Sequence, residues 1–291
     1  MASNTIVYQV PGAITDLSIP PLLRDSLLAG ANSGIRFLFD LANAYSWTPG
    51  TPVQGKAVKD MAEISADGLI NTTGGTLANS GNGIDFTGSS ARACLSAPAS
   101  VLADLWADQE YILCGYWKLP VIGNFPGAGG GQNTTMLTAE AGNSEHYGTS
   151  AEIVMAAWDM GAVGRLKFTR PIAVSTTGAE QINADMTSHA GLLTQIAMWR
   201  TATAWNCRLK SSAGTTLGTQ NTTNVKSTGN FSAKELHWGM SGSFGVQVTN
   251  SARTGLRLYR GFVENTKRSG RPPLTVLDDD YTRTVARGVY S

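Results

Sequence analysis

The feature that most constrains this chain is a succession of short segments with β-strand periodicity, each closed by a cluster of Gly, Ser, Thr or Asn. In WNCRLK, Trp205, Cys207 and Leu209 fall on one side and Asn206, Arg208 and Lys210 on the other, which is the alternation of a half-buried strand. VGRLKFT alternates less cleanly, with Val163, Leu166 and Phe168 set against Arg165, Lys167 and Thr169. YILCGYWKL, residues 111–119, is apolar on both sides and predicts a central strand covered twice. IRFLFDL, GIDFTG, RACLSA, AEIVMAAW, LTQIAMWR, LHWGM, FGVQV and LRLYRGFVE are further candidates. About ten strands with little helix between them predict a mainly β fold, an antiparallel sandwich or barrel.

Two stretches break that pattern. APASVLADLWAD, residues 97–108, predicts a short helix starting near Pro98. PLTVLDDDYTRTVARG places Leu274, Leu277, Tyr281 and Val285 at helical spacing, with Gly288 as the C-cap. Helices this short are expected to plug the end of a sandwich. Residues 1–34 differ in character: β-formers Ile6, Val7 and Tyr8 precede a Pro-Gly turn, then Pro20 and Pro21 open a short helix carrying Leu22, Leu23, Leu27 and Leu28. One strand and one short helix cannot make a core. They read as an N-terminal arm that packs on its own domain or on a neighbouring subunit, with residues 35–291 as the sandwich. The glycine-rich stretch at 124–135 reads as a loop between strands.

Composition narrows the partners. Glycine supplies 33 of 291 residues and charged residues 15%, against an ordinary charged share of about a quarter. This argues against a disordered chain and against a coiled coil. No apolar run approaches the roughly 18 residues that a bilayer-spanning helix needs, and MASNTIVYQVPGAITD lacks the blocks of a signal peptide. A soluble protein with no membrane span is expected. Near-neutral net charge hides an asymmetry: residues 1–150 hold 6 basic and 12 acidic side chains, and residues 151–291 hold 16 and 9. Such polarity fits two faces of one fold, or copies that attract head to tail. The densest basic stretch, Arg253, Arg257, Arg260, Lys267, Arg268 and Arg271, is a candidate basic contact face. A pI near 7.7 argues against a nucleic-acid partner.

No residue pattern in the chain announces a reaction. Cys94, Cys114 and Cys207 are far apart and have no C-x-x-C pairing, so no metal site follows from them; Cys114 and Cys207 read as buried small hydrophobes, with one disulfide left open. Gly50 to Lys56 matches G-x-x-x-x-G-K, but Ala57 lacks the hydroxyl that would bind magnesium, and Pro49 and Pro52 suit a loop. His146, His189 and His237 have no H-x-x-x-H or G-x-S-x-G accompaniment. Asp278, Asp279 and Asp280 are adjacent on a helix and point apart, which suits a solvated helix start or a weak cation site more than paired-acid hydrolysis. No cofactor and no catalytic set is expected, and the chain reads as a non-enzyme. Sugar binding needs exposed rings. Of the seven tryptophans, Trp47 in the loop-like AYSWTPG is expected nearest solvent and is the candidate glycan contact, with core packing as the competing reading.

The order of segments then resembles a family. GIDFTGSSARACLSAP followed by DQEYILCGYWKL resembles the early strand pair of concanavalin A-like jelly-roll domains of the laminin G and pentraxin type. LLTQIAMWRTATAWNCRLKSSAGTTLG is similar to their most regular hairpin, and LRLYRGFVENTKRSGRPP to their closing strand as seen in tailed-bacteriophage virion proteins. The resemblance spans roughly residues 35–290 and rests on pattern, with no invariant motif. It implies an antiparallel jelly-roll β-sandwich with one or two short helices, in a structural virion protein of a tailed phage. The expected place is the tail or baseplate of the particle, assembled in the host cytoplasm. Expected partners are other virion proteins, further copies of the chain and a host-surface glycan. The alternatives are a carbohydrate-binding adhesin or depolymerase, and a capsid decoration protein. Calcium-binding and catalytic residues of some relatives have no counterpart here.

Overall fold

The computed structural model describes residues 25–29, 34–72, 76–89, 93–125, 135–140, 154–158, 163–172, 179–218, 224–228, 232, 234–240 and 253–291. The strands in chain order begin with β1 (Ile35–Asp40), β2 (Ala57–Val58), β3 (Gly68–Thr72), β4 (Ala78–Ser80), β5 (Gly83–Asp85) and β6 (Ala93–Ala97). Helix α1 (Ala99–Trp106) leads to β7 (Tyr111–Lys118), β8 (Thr135–Glu140), β9 (Val154–Trp158), β10 (Arg165–Pro171) and β11 (Ala179–Asp185). Then come β12 (Leu193–Arg200), β13 (Trp205–Ser211), β14 (Gly214–Leu217), β15 (Glu235–Met240), β16 (Arg257–Asn265), α2 (Thr266–Ser269) and α3 (Pro273–Ala286).

These strands make two antiparallel eight-stranded sheets. The front sheet runs β14-β13-β12-β7-β16-β5-β4, with β1 also pairing to β16, and the back sheet runs β11-β10-β9-β8-β15-β6-β3-β2. The fold is a mainly β sandwich, as its strand periodicity predicts. LTQIAMWR and WNCRLK form the expected hairpin, β12 with β13, from Gln195 opposite Lys210 to Arg200 opposite Trp205. The segments that resemble an early strand pair do not pair with each other: β6 joins the back sheet and β7 the front sheet. α1 connects them and adds Val101, Leu102 and Leu105 to the core between the sheets, so it plugs the sandwich as expected.

The inter-sheet core is built on one indole. Trp238 reaches from β15 toward the front sheet and donates from Nε1 to the Cys114 carbonyl at 2.9 Å. Phe37 stacks on it at 5.8 Å and Phe39 meets it edge-on at 5.0 Å. Gly115 and Gly261 lie opposite each other on β7 and β16 and leave the hollow that it fills. A Cβ at Gly261 would come within 2.6 Å of Trp238 Nε1, closer than packed atoms allow.

A second cluster covers the outer face of the front sheet. Ile112, Cys114 and Tyr116 of β7 join Ile35, Leu38, Tyr259 and Phe262 there, under Val276 and Leu277 of α3. The β7 sequence, apolar on both sides, is thereby explained. α3 thus lies across a sheet face and does not plug an end. Its orientation also departs from the apolar spacing: Val276, Leu277, Asp280 and Thr284 are buried, while Leu274 is 46% and Val285 43% exposed. The helix turns its acid inward because the sheet beneath presents a charge. Arg260 Nη2 meets Asp280 Oδ1 at 2.9 Å, and Nη1 meets Asp25 Oδ2 at 2.8 Å and Asp40 Oδ2 at 3.3 Å. Tyr116 donates to Asp280 Oδ2 at 2.7 Å, and Arg287 and Tyr290 close on Asp40. Asp278 accepts from Arg208 at 2.9 Å and Lys210 at 2.5 Å, so cations of this molecule engage Asp278 and Asp280 while Asp279 stays exposed. Gly288, at φ +60°, follows the helix in the left-handed conformation expected of its cap.

Of the arm's leucines, Leu27 and Leu28 are described: both sit in a 3-10 turn, Ser26–Leu28, buried in the outer cluster, with the Leu27 carbonyl accepting from Arg271 at 3.2 Å. The described end of the arm therefore packs on its own sandwich. Ile6, Val7, Tyr8, Leu22 and Leu23 lie outside the described residues, as do FGVQV and most of the 124–135 stretch.

Two measurements check this layer. Leu277→Ala should cost about 2–5 kcal/mol in denaturant unfolding, whereas Leu274→Ala should stay within about 0.5 kcal/mol. Burial by itself would raise the Asp25 carboxyl, but Arg260 outweighs it and holds the group below its ordinary 3.8. A carboxyl depressed on folding contributes stability that is complete above its unfolded value and is lost as pH falls through the folded one. Urea midpoints should therefore drop below about pH 4, and Asp25→Asn should start lower and drop less steeply.

Candidate functional site

The turn after β1 decides which aromatic ring meets solvent. Asp40 Oδ1 accepts from the Ala42 amide at 2.9 Å and Asn43 Oδ1 from the Tyr45 amide at 2.9 Å, two local side-chain turns in succession. The Trp47 amide then bonds the Asn43 carbonyl at 2.9 Å, and Ser46 ties the turn to Lys59 in both directions, at 2.8 and 3.0 Å. This geometry sends Trp47 inward and Tyr45 outward. Trp47 is 1% exposed, with its Nε1 donating to Asn79 Oδ1 at 3.2 Å and Lys56 Nζ 3.9 Å above the ring. Trp47 is therefore a core residue and offers no stacking surface, which corrects the sequence expectation in favour of its competing reading. The Gly50 to Lys56 loop runs into a strand, with its lysine on that indole, as a chance match would.

Tyr45 is 49% exposed and is the one aromatic ring among the large exposed apolar side chains of the described residues. Its hydroxyl donates to Glu63 Oε1 at 2.7 Å, and Lys59 Nζ stands 5.1 Å from the ring centre. That hydrogen bond to Glu63 is the main reason the phenol is held above its ordinary value. Glu63 is placed by a buried carboxylate. Asp60 Oδ1 accepts from the amides of Leu38 and Ala62, both at 3.0 Å, and Oδ2 from Ile64 at 3.2 Å and Ser65 at 3.0 Å. Four amide donors wrap one carboxylate and fix the turn, with Glu63 at φ +55°. Burial pushes the Asp60 carboxyl up and the four amides pull it back in part. Val53, Ile64 and Leu69 are exposed on the same β2–β3 margin of the back sheet.

A hydrogen-bonded chain runs inward from this margin. Gln54 donates to Asn71 Oδ1 at 3.1 Å, Asn71 to Ser96 Oγ at 2.5 Å, and Ser96 Oγ meets His237 Nδ1 at 2.6 Å. Ser96 and His237 are buried, so this pair is a structural link across β6 and β15, with no open face for a substrate. His189 is also buried, between Ser211 at 2.7 Å and Thr216 at 2.9 Å. His146 lies outside the described residues. Cys94, Cys114 and Cys207 are buried and in no disulfide, and burial pushes the Cys114 and Cys207 thiols up. Among the described residues no group of His, Cys, Asp and Glu is placed to hold a metal ion, and no helix is long and apolar enough to cross a membrane.

The basic stretch does not form one exposed face. Arg253 and Arg260 are buried, Arg257 pairs with Asp85 at 2.9 Å, Arg268 with Asp104 at 2.5 Å, and Arg271 with buried Glu264 at 2.8 Å. Lys267 is exposed and reaches Glu110 at 4.0 Å. Arg257, Lys267 and Arg268 of the second half thus meet acids of the first half within one molecule.

The solvent-facing ring of this loop, expected at Trp47, stands at Tyr45. The signal that separates them is the Asp40, Asn43 pair of turn-forming residues, which fixes a tight turn with the ring at 45 on its outside. Replacing Trp47 by Ala should cost about 3–5 kcal/mol of stability, whereas Tyr45→Ala should change it by less than about 0.5 kcal/mol, both read from chemical denaturation.

No protein-family model and no curated protein matches this chain. Solved structures of similar fold include domain 4 of AbnA, an extracellular GH43 arabinanase of Geobacillus stearothermophilus in complex with arabinotriose. The likeness has 10% identity and a TM-score of 0.45, covering 84% of this chain and 97% of that one. Another is the CBM2 module of the evolved Dit of Lactobacillus casei BL23 phage J-1, with 9% identity, a TM-score of 0.40, and 79% and 95% of the two chains covered. A third is the enzymatically active domain of bacteriophage CBA120 tailspike protein 2, with 11% identity, a TM-score of 0.39, and 76% and 30% covered.

Proposed function

We propose that this chain is a structural subunit of a tailed-phage tail or baseplate that contacts a host-surface glycan without cleaving it. The phage setting comes from the sequence resemblance. The glycan contact is carried by one observation: a solvent-facing Tyr45 ring bracketed by the Lys59 ammonium and by the carboxylate of Glu63, which stands on a turn that buried Asp60 holds fixed. A sugar presents apolar C–H faces beside hydroxyls, and an exposed ring flanked by a charged acceptor and a charged donor matches both.

The non-catalytic part of the reading is supported by how the buried acids are spent. Glycoside cleavage needs two carboxyl groups facing each other across the scissile bond. Asp40, Asp280, Glu180 and Glu264, buried among the described residues, are each engaged by arginine, and Asp60 by backbone amides. Moving any of them to chemistry would break a structural pair.

A glycan array with the purified chain, run beside a host-polysaccharide cleavage assay, tests the proposal. Binding without cleavage is expected, with Tyr45→Ala losing at least about tenfold in affinity while keeping its unfolding midpoint, as the loss of one stacked ring implies. Cleavage of the polysaccharide, or binding untouched by Tyr45→Ala, ends this reading. Particle proteomics checks the setting: a chain absent from virions is not a tail subunit.

A further inference from the structure

Arg253 is set apart from the other buried arginines of the sandwich. It lies in the turn ahead of β16 and is 1% exposed. Its backbone is well tied: the carbonyl accepts from the Leu256 amide at 3.1 Å and from Thr87 Oγ1 at 3.5 Å, and Gly255 donates to Thr87 Oγ1 at 3.0 Å. The side chain is not tied. Among the described residues, no hydrogen-bond acceptor meets Nε, Nη1 or Nη2.

The other buried arginines set the contrast. Arg170 engages Glu180 and the Val225 carbonyl, Arg200 the carbonyls of Gln109 and Asn224, Arg208 the side chains of Gln195 and Asp278, and Arg260 three aspartates. Each has at least two nitrogens occupied. A guanidinium stays protonated in proteins, so Arg253 cannot shed its charge to escape burial. The carboxylate beside its turn is taken, since Asp85 accepts from Arg257 Nε at 2.9 Å and from the Thr87 amide at 2.8 Å. A buried, permanently charged fork with no counter-charge is stable when an anion comes to it from outside.

We propose that Arg253 is the receptor for an oxyanion, a carboxylate or phosphate group whose paired oxygens match the guanidinium fork. Thr87 holds the backbone of its turn, and Asn124 Nδ2 reaches the carbonyl of the next residue, Thr254, at 3.5 Å. The site is separate from Tyr45 and does not depend on the glycan reading.

Thermal unfolding and calorimetry of the full chain test it, in amine buffer of constant ionic strength, with inorganic phosphate and with sodium glucuronate as probes and glucose and NaCl as controls. At about a hundredfold excess over Kd, an anion bound to the folded state should raise Tm by about 5 °C. Phosphate or glucuronate should do so for the native chain, and the stronger of the two identifies a phosphate or a sugar acid as the source. Arg253→Met, which removes the unpaired charge and keeps the volume, should be at least as stable without anion and should not respond to either probe. Arg253→Lys, a charge without the fork, should bind at least tenfold more weakly. Equal responses from the native chain and Arg253→Met overturn the proposal. So does a native chain that ignores both probes, and if its own concentration stabilises it instead, a second copy's carboxylate fills the place.

Discussion

One buried guanidinium holds the ends of this chain together. Arg260 stands on β16 at the middle of the front sheet and takes carboxylates from Asp25 before the first strand, Asp40 at the end of β1 and Asp280 on the last helix. Desolvating such a group is expensive, and an apolar replacement of the whole cluster is often no less stable. What the cluster supplies is position. Breaking one partner leaves a buried charge unpaired, so α3 has one rotation on the sheet and the residues before β1 have one seat. The same requirement explains why Leu274 and Val285 face solvent while an aspartate faces the sheet.

The layer that α3 covers continues into the turn after β2, where Ala62 joins Leu38, Val276 and Leu277 in the outer cluster. On the β2–β3 margin, Asp60 uses four backbone amides to fix a turn that carries Glu63 to the Tyr45 hydroxyl. A contact built on a turn whose backbone is tied to a sheet loses little freedom on binding, which is how rigid scaffolds present loops to ligands. The polar chain from Gln54 to His237 stiffens the same margin from behind.

The imbalance of charge between the two halves of the sequence has an internal use. Arg257, Arg260, Arg268 and Arg287 of the second half meet Asp85, Asp25, Asp104 and Asp40 of the first, in that order. Ion pairs between distant parts of one chain favour the native arrangement over local alternatives, although the exposed ones add little stability. Arg253 stands outside this scheme, and its missing counter-charge is what marks it.

Periodicity by itself determined the class of this protein. Alternation in WNCRLK, two-sided apolarity in YILCGYWKL, Pro98 opening α1 and Gly288 closing α3 are local consequences of backbone geometry, and each can be read where it stands. Which residues lie under another layer is set by contacts between segments far apart in sequence, and a one-dimensional pattern does not contain them. Trp47 and Tyr45 share a loop and differ in fate because Asn79, Lys56 and Glu63 arrive from elsewhere. Asp280 looks like the polar side of a helix until Arg260 is placed beneath it. The tertiary structure decided these cases because a buried charge or ring is placed by the partner it must meet, and partners are assigned when the sheets stack.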